Sequence, residues 1–260
     1  MILKQLQMKQ QRQRDTYPFN LPLFQTLETI DFKSPVTIFV GENGSGKTTL
    51  LEAIAAAQES ILISGEQMNE RHFPASYALS EAMKFTWTTR TNKGFFFRAS
   101  DFITFIQQVT ATRLEAQFNI AEITKKDPHS YAIMPHARTL YDLQNLYGEG
   151  LEFRSHGESF LELFEARFRP DGLYLLDEPE APLSPNKQLT LIAMMGDMVK
   201  QGAQFIISTH SPILMAFPGA TLLEIKEDRL SETAFNELEH VQLTRDFLND
   251  PARYLRYLLD

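Results

Sequence analysis

The sequence predicts an α/β fold: a mostly parallel core sheet with an antiparallel β part and a helical lobe. Three observations carry that expectation. Apolar runs without alternation, "VTIFV" at Val36–Val40, "LYLLDE" at Leu173–Glu178 and "AQFIISTH" at Ala203–His210, suit strands covered on both faces. Helical patterns follow the first and separate the other two, the β-then-α order of a parallel sheet. A third stretch, Asp101 to Phe118, carries Phe102, Phe105, Ile106, Val109, Leu114 and Phe118 at helical spacing, which places a helical insertion inside the sheet's sequence.

Taken in order, the first fifteen residues are glutamine-rich, and Lys4, Lys9, Arg12 and Arg14 precede the first acid, Asp15. They suit either a solvated edge strand or a basic arm toward nucleic acid. "VTIFV" ends in a glycine-rich turn, and "KTTLLEAIAAAQES" has the small and apolar residues of a helix. From Met83 to Arg98, "KFTWTT" and "GFFFRA" flank "TNKG" and read as a hairpin. The helical region continues through "ARTLYDLQNLYGEG", and a further helix around Gln188 to Lys200 lies between the two later strands. "TLLEI", a "KEDR" turn and "LSETA" form a late hairpin, and "TRDFLNDPARYLRYLLD" closes the chain as helix. There is no repeat and no Gly/Ser linker, so residues 1–260 are expected to form one domain, with 1–98 and 170–260 as a core lobe and 99–169 as a helical lobe.

Composition narrows the function classes. With 43% hydrophobic and 22% charged residues the chain is of ordinary globular type, and its 260 residues can bury a sizeable core. No run approaches the ~18 apolar residues of a membrane-spanning helix, and the N-terminal stretch lacks a signal-peptide core, so a soluble, cytoplasmic protein is expected. The absence of cysteine excludes disulfides, thiolate metal sites and cysteine nucleophiles. A net charge of −8 argues against a surface that is basic throughout.

The chemistry is concentrated in three strand ends. "GENGSGKT", Gly41 to Thr48, satisfies G-x-x-x-x-G-K-[ST] between a predicted strand and a predicted helix. Its glycines let backbone N–H groups turn inward around phosphate oxygens at a helix N-terminus. Gly41, Glu42, Asn43, Gly44, Ser45, Gly46, Lys47, Thr48 and Thr49 are therefore the candidate nucleotide-binding residues, with Lys47 reaching the β- and γ-phosphates and Thr48 holding Mg²⁺. Asp177 ends the second strand and is a candidate Mg²⁺ ligand, and Glu178 is placed to polarise a water aimed at the γ-phosphate. That adjacent glutamate favours hydrolysis over phosphoryl transfer to a substrate. His210 ends the third strand, and because ligands of doubly wound sheets lie beyond the C-terminal strand ends, it is the candidate γ-phosphate sensor.

These residues resemble ATPases of the ABC superfamily, in the family's order. "GENGSGKT" resembles Walker A, "LYLLDE" Walker B with its catalytic glutamate, "STHSP" the switch-histidine segment, and "SHGES" the signature motif, with Ser155, Gly157 and Glu158 on its serine, second glycine and glutamine. Arg154 and His156 depart from the usual leucine and glycine, and in "EAPLSP" Ser184 stands where the family's D-loop has aspartate. "GENGSGKTTLLEAIA" and "DEPE…STHSP" are closer to the soluble branch of chromosome-maintenance, recombination-repair and overcoming-lysogenization-defect ATPases, and "YPFNLP" and "FLNDPARYLRYLL" are similar to short stand-alone bacterial predicted ATPases. About 130 residues separate Lys47 from Asp177, too few for a long coiled-coil arm.

What the resemblance implies is binding of ATP and Mg²⁺, hydrolysis, and an ATP-dependent head-to-head homodimer. In it the signature residues Ser155, His156, Gly157 and Glu158 of one copy face the γ-phosphate held by the other. Ser155 with Glu158 three residues on is also the pattern of a helix-capping box, and the two readings are compatible. The family's glutamine loop is left unassigned among Gln107, Gln108 and Arg98. Tyr17 or Phe19 could stack on adenine or pack in the core. Competing expectations are a slowly hydrolysing ATP-binding regulatory subunit, suggested by the altered signature and D-loop, and the ATP-binding subunit of a transporter.

Overall fold

The computed structural model describes residues 1–9, 15–63, 65–147, 156–256 and 258. Its centre is a six-stranded sheet in the order β5 (Gly94–Arg98), β6 (Leu173–Asp177), β7 (Gln204–Ser208), β3 (Val36–Gly41), β8 (Thr221–Lys226), β9 (Arg229–Glu232). The first five strands are parallel and β9 is antiparallel at the edge. A second, three-stranded antiparallel sheet runs β2 (Thr29–Asp31), β1 (Leu3–Met8), β4 (Met83–Trp87).

Side chains alternate across the six-stranded sheet into two cores, as the pleat dictates. On one face Val36, Ile38, Phe95, Phe97, Tyr174, Leu176, Phe205 and Ile207 meet α4 (Ala99–Lys126), α6 (His156–Arg167) and α7 (Pro185–Lys200). On the other, Phe39, Phe96, Leu175 and Ile206 meet α2 (Lys47–Gln58) and, through it, the antiparallel sheet. The buried Gln204 side chain ties the two sheets together: its carbonyl accepts from Ile2 N–H and Leu3 N–H at 2.7 and 2.8 Å, and its amide donates to Leu3 O at 3.0 Å. Among the described residues the remaining α-helices are α1 (Pro22–Thr26), α3 (Pro74–Glu81), α5 (Met134–Tyr147), α8 (Pro212–Met215), α9 (Glu239–Asn249) and α10 (Pro251–Leu255).

The α/β architecture with parallel core, antiparallel part and helical insertion is the one the sequence predicts, and three local expectations are corrected. Met83 to Arg98 is not a hairpin: β4 pairs with β1, whereas β5 pairs in parallel with β6. The reason lies in burial, since Phe95, Phe96 and Phe97 are all buried and demand cover on both faces, which a two-stranded ribbon cannot give. Gly94 also lies where a Cβ would fall 1.9 Å from Leu173 O, so only glycine lets β5 start against β6. The N-terminal strand is central in its sheet rather than an edge. Leu114 and Phe118, counted into the buried stripe, are 59% and 65% exposed. At ~1.5 Å per residue α4 is about 42 Å long, and it outruns the sheet that buries Phe102, Phe105 and Val109.

Candidate functional site

The C-terminal ends of β3, β6 and β7 meet at one edge of the six-stranded sheet, because register places Asp177 opposite Ser208 and Phe39 opposite the same Ser208. Chain continuity past that edge carries the functional groups. After β3 the backbone turns through Gly41, Gly44 and Gly46, all with positive φ, into α2. Gly46 is at φ 100, and a Cβ there would press on Leu23 and Phe24 at 3.3 and 3.5 Å, so the turn depends on a residue without one. Lys47 is 5% exposed, and its ammonium donates to Gly41 O and Glu42 O at 2.7 Å each, which closes the loop on its own backbone. Burial lowers its pKa, opposed first by the Asp177 charge.

Asp177 is 7% exposed and accepts from the Thr48 hydroxyl at 2.9 Å. Burial raises its carboxyl to about 6, partly offset by that hydroxyl. Its second oxygen, Oδ1, is buried without a hydrogen-bond partner. A buried carboxylate oxygen of that kind beside a hydroxyl suits a hard divalent cation such as Mg²⁺. The described residues contain no group of three or more His, Asp or Glu placed to hold a metal, so a cation at Asp177 and Thr48 would complete its shell with phosphate oxygens and water.

Glu178 follows Asp177 at φ 50, in the left-handed region that costs a non-glycine residue about 1–2 kcal/mol. Its N–H donates to Ser208 O at 2.8 Å, which holds this turn against β7. The turn leaves the carboxylate 3.7 Å from His210 Nε2, with side chains 44% and 32% exposed. Glu180, to which the sequence reading gave no role, accepts from His210 N–H at 2.7 Å and so fixes the backbone from which the imidazole projects. Burial raises the Glu180 pKa. Burial and then the Lys47 charge lower that of His210, which favours the neutral imidazole.

Gly41–Thr49, Asp177, Glu178 and His210 are therefore brought to one edge. The remaining candidates fall differently. Ser155 lies outside the described residues; His156, Gly157 and Glu158 open α6, with their side chains outside the description. Ser184 stands at the N-cap of α7 without a side-chain cap bond. Gln107 and Gln108 lie exposed within α4. Arg98 ends β5 opposite Asp177, but its guanidinium is engaged by Glu52 at 2.8 Å and Asp101 at 2.8 and 3.1 Å, and it has no lone pair for a metal. The Tyr17 hydroxyl lies 3.1 Å from Thr49 Oγ1 with the ring exposed, whereas Phe19 packs against the core.

Chemically, a backbone cradle, the buried Lys47 ammonium, a carboxylate pair and a neutral imidazole at one edge can hold a nucleoside triphosphate and direct water at its terminal phosphate. The two sequence segments that build this edge match families described as "AAA domain" (residues 20–58) and "AAA domain, putative AbiEii toxin, Type IV TA system" (residues 160–216). The cobalt import ATP-binding protein CbiO of Salmonella typhimurium is 28% identical over 199 residues, covering 74% of this chain and 67% of that protein. Its Salmonella typhi counterpart is 28% identical over 189 residues, covering 70% and 64%. The chain thus spans about two thirds of the length of these relatives. An Smc head domain with an extended coiled coil, bound to the C-terminal domain of ScpA from Pyrococcus furiosus, aligns over 96% of this chain and 99% of that one, at 12% identity and a TM-score of 0.48. A structural likeness at that level carries no weight on function. Phosphate loop, acidic strand end and the sequence matches define a P-loop ATPase. Within that class the chain is similar to ATP-binding cassette proteins such as CbiO.

Proposed function

We propose that this ATPase is a dimerising switch: ATP with Mg²⁺ closes two copies head to head, and hydrolysis to ADP and phosphate releases them. Lys47 and the backbone of Gly41–Thr49 hold the phosphates, Thr48 and Asp177 hold the cation, Glu178 positions water, and His210 contacts the γ-phosphate. Residues 1–98 and 170–260 form the nucleotide lobe, and 99–169 the lobe that presents Ser155, His156, Gly157 and Glu158 to the partner copy. Tyr17 is the candidate for stacking on adenine.

The single observation that supports this reading best is the meeting of Lys47, the 2.9 Å Thr48–Asp177 pair, Glu178 and His210 at one sheet edge, with Asp177 Oδ1 left unpartnered. Hydrolysis of this kind works best where bulk water is excluded. Yet Glu178 is 44% exposed on its side chain and His210 32%, so a second surface is needed to cover them, and the partner's signature segment would supply it. That Ser155→Arg spares nucleotide binding while abolishing turnover is the expected result; loss of binding would place Ser155 in its own subunit's site or in the fold alone.

A second reading, the ATP-binding subunit of a membrane transporter, is favoured by the likeness to the cobalt import proteins. Among the described residues no helix is long and apolar enough to cross a membrane, so in such a role these residues would act together with membrane-spanning segments outside them. Purification of the chain free of membranes, with full nucleotide turnover, would count against it.

A further inference from the structure

The cleft beside the phosphate loop, about 870 Å³, has a wall that the family motifs do not account for. Gly41 to Ser45 form one side and His210 adjoins them, while Glu239, His240 and Leu243 of α9 close the other. His240 comes thirty residues after His210, in "NELEHVQL", a stretch with no motif. Its position is nevertheless tightly specified. Leu238 and Val241 on either side of it are 0% and 3% exposed and belong to the core, and Glu239 is tied to Lys226 of β8 at 2.8 Å. The backbone is pinned while the imidazole stands exposed in the cleft, with its ring centroid 6.1 Å from that of His210 and the two planes at 62°.

We propose that His240 is a second phosphate-contacting histidine, which brackets the terminal phosphate of ATP together with His210. The inference rests on the nucleotide reading of the site given above. Two imidazole edges at this separation can each donate to one phosphoryl group over ~2.8 Å. The acidic lining of the cleft leaves few side chains that can donate to a phosphate. Glu42, Glu224, Glu227, Asp228 and Glu239 line it, and Lys226, the one Lys or Arg among its lining residues, is held by Glu239. Beyond the phosphate loop's own groups and Lys47, the two imidazoles bring N–H donors to a phosphate without adding negative charge to that wall. Only the first turn of α9 is anchored, since Leu243 and Leu248 are 55% and 70% exposed, so the geometry of His240 is set by the Leu238 and Val241 anchors and not by the rest of the helix.

The test compares binding of a non-hydrolysable β,γ-imido ATP analogue with binding of ADP, both with Mg²⁺, in wild type, His240→Ala, His240→Phe and Lys47→Ala. Both His240 variants are expected to lose roughly tenfold in affinity for the analogue, the size of one hydrogen bond to a charged group, with ADP affinity and melting temperature unchanged. Equal losses for the analogue and ADP, no loss for either, or a phenylalanine variant that binds the analogue as wild type does would overturn the role of His240. Undiminished binding in Lys47→Ala would instead overturn the nucleotide reading itself, and so separates the two failures.

Discussion

The strand-end edge and the helical lobe are built on opposite terms. At the edge, β3, β6 and β7 are buried along nearly their whole length, and the polar groups at their tips are fixed by short bonds: Lys47 to two carbonyls, Thr48 to Asp177, Glu180 to the His210 backbone. In the lobe, one stripe of α4 and α6 is buried, and Leu114, Phe118, Tyr131, Met134 and Tyr141 stand exposed. The difference teaches where precision is invested. The candidate site groups sit at or just past the ends of buried strands, and α4 and α6 are joined to those strands through an aromatic cluster.

That joint is the first place to break the comparison. Phe164 is fully buried and meets Phe95, Phe97, Phe160 and Phe168 at centroid distances of 4.3 to 5.3 Å. Phe164→Ala should cost about 3–5 kcal/mol in denaturant unfolding. A loss under about 1 kcal/mol would mean that the lobe is held by something other than this cluster.

The edge can be sharpened by pH. In the proposed site Asp177 would bind a cation in its charged form, and burial raises its pKa to about 6. Below that value the carboxyl is protonated, so apparent Mg²⁺ affinity should be flat above about pH 7 and fall roughly tenfold by pH 5. Equal affinities at pH 5 and 7.5 in a direct Mg²⁺ titration would remove Asp177 from the cation site. The smallest effect belongs to the lobe's outer face. Phe118, 65% exposed, should tolerate Phe118→Ser within about 0.5 kcal/mol of wild-type stability, and a larger loss would show that this face is covered.

Much of the edge was legible in the sequence because its parts are local. A buried strand, the turn after it and the polar residue at the turn are contiguous in "VTIFVGENGSGKT", "LYLLDE" and "FIISTH", and burial on both faces leaves few places for them except a shared sheet. What was not legible depends on pairing across distance. Phe95–Phe97 can be recognised as a strand, but nothing local says that it joins β6 instead of folding back on β4. The apolar spacing of α4 is equally regular where it is buried and where it is not, so Phe118 reads like Phe105. Glu180 was visible in "DEPE" but shows its use only once β7 delivers His210 beside it, and His240 reaches the site through two core anchors with no motif at all.

The central claim is that ATP joins two copies of this edge and hydrolysis parts them. Glu178→Gln tests it most directly, because removing the water-positioning carboxylate should slow turnover by ~10²–10⁴ while leaving nucleotide binding intact. In sizing chromatography with ATP and Mg²⁺ this variant should elute as a stable dimer, and revert to monomer when nucleotide is removed. A Glu178→Gln protein that binds ATP and remains monomeric would contradict the account.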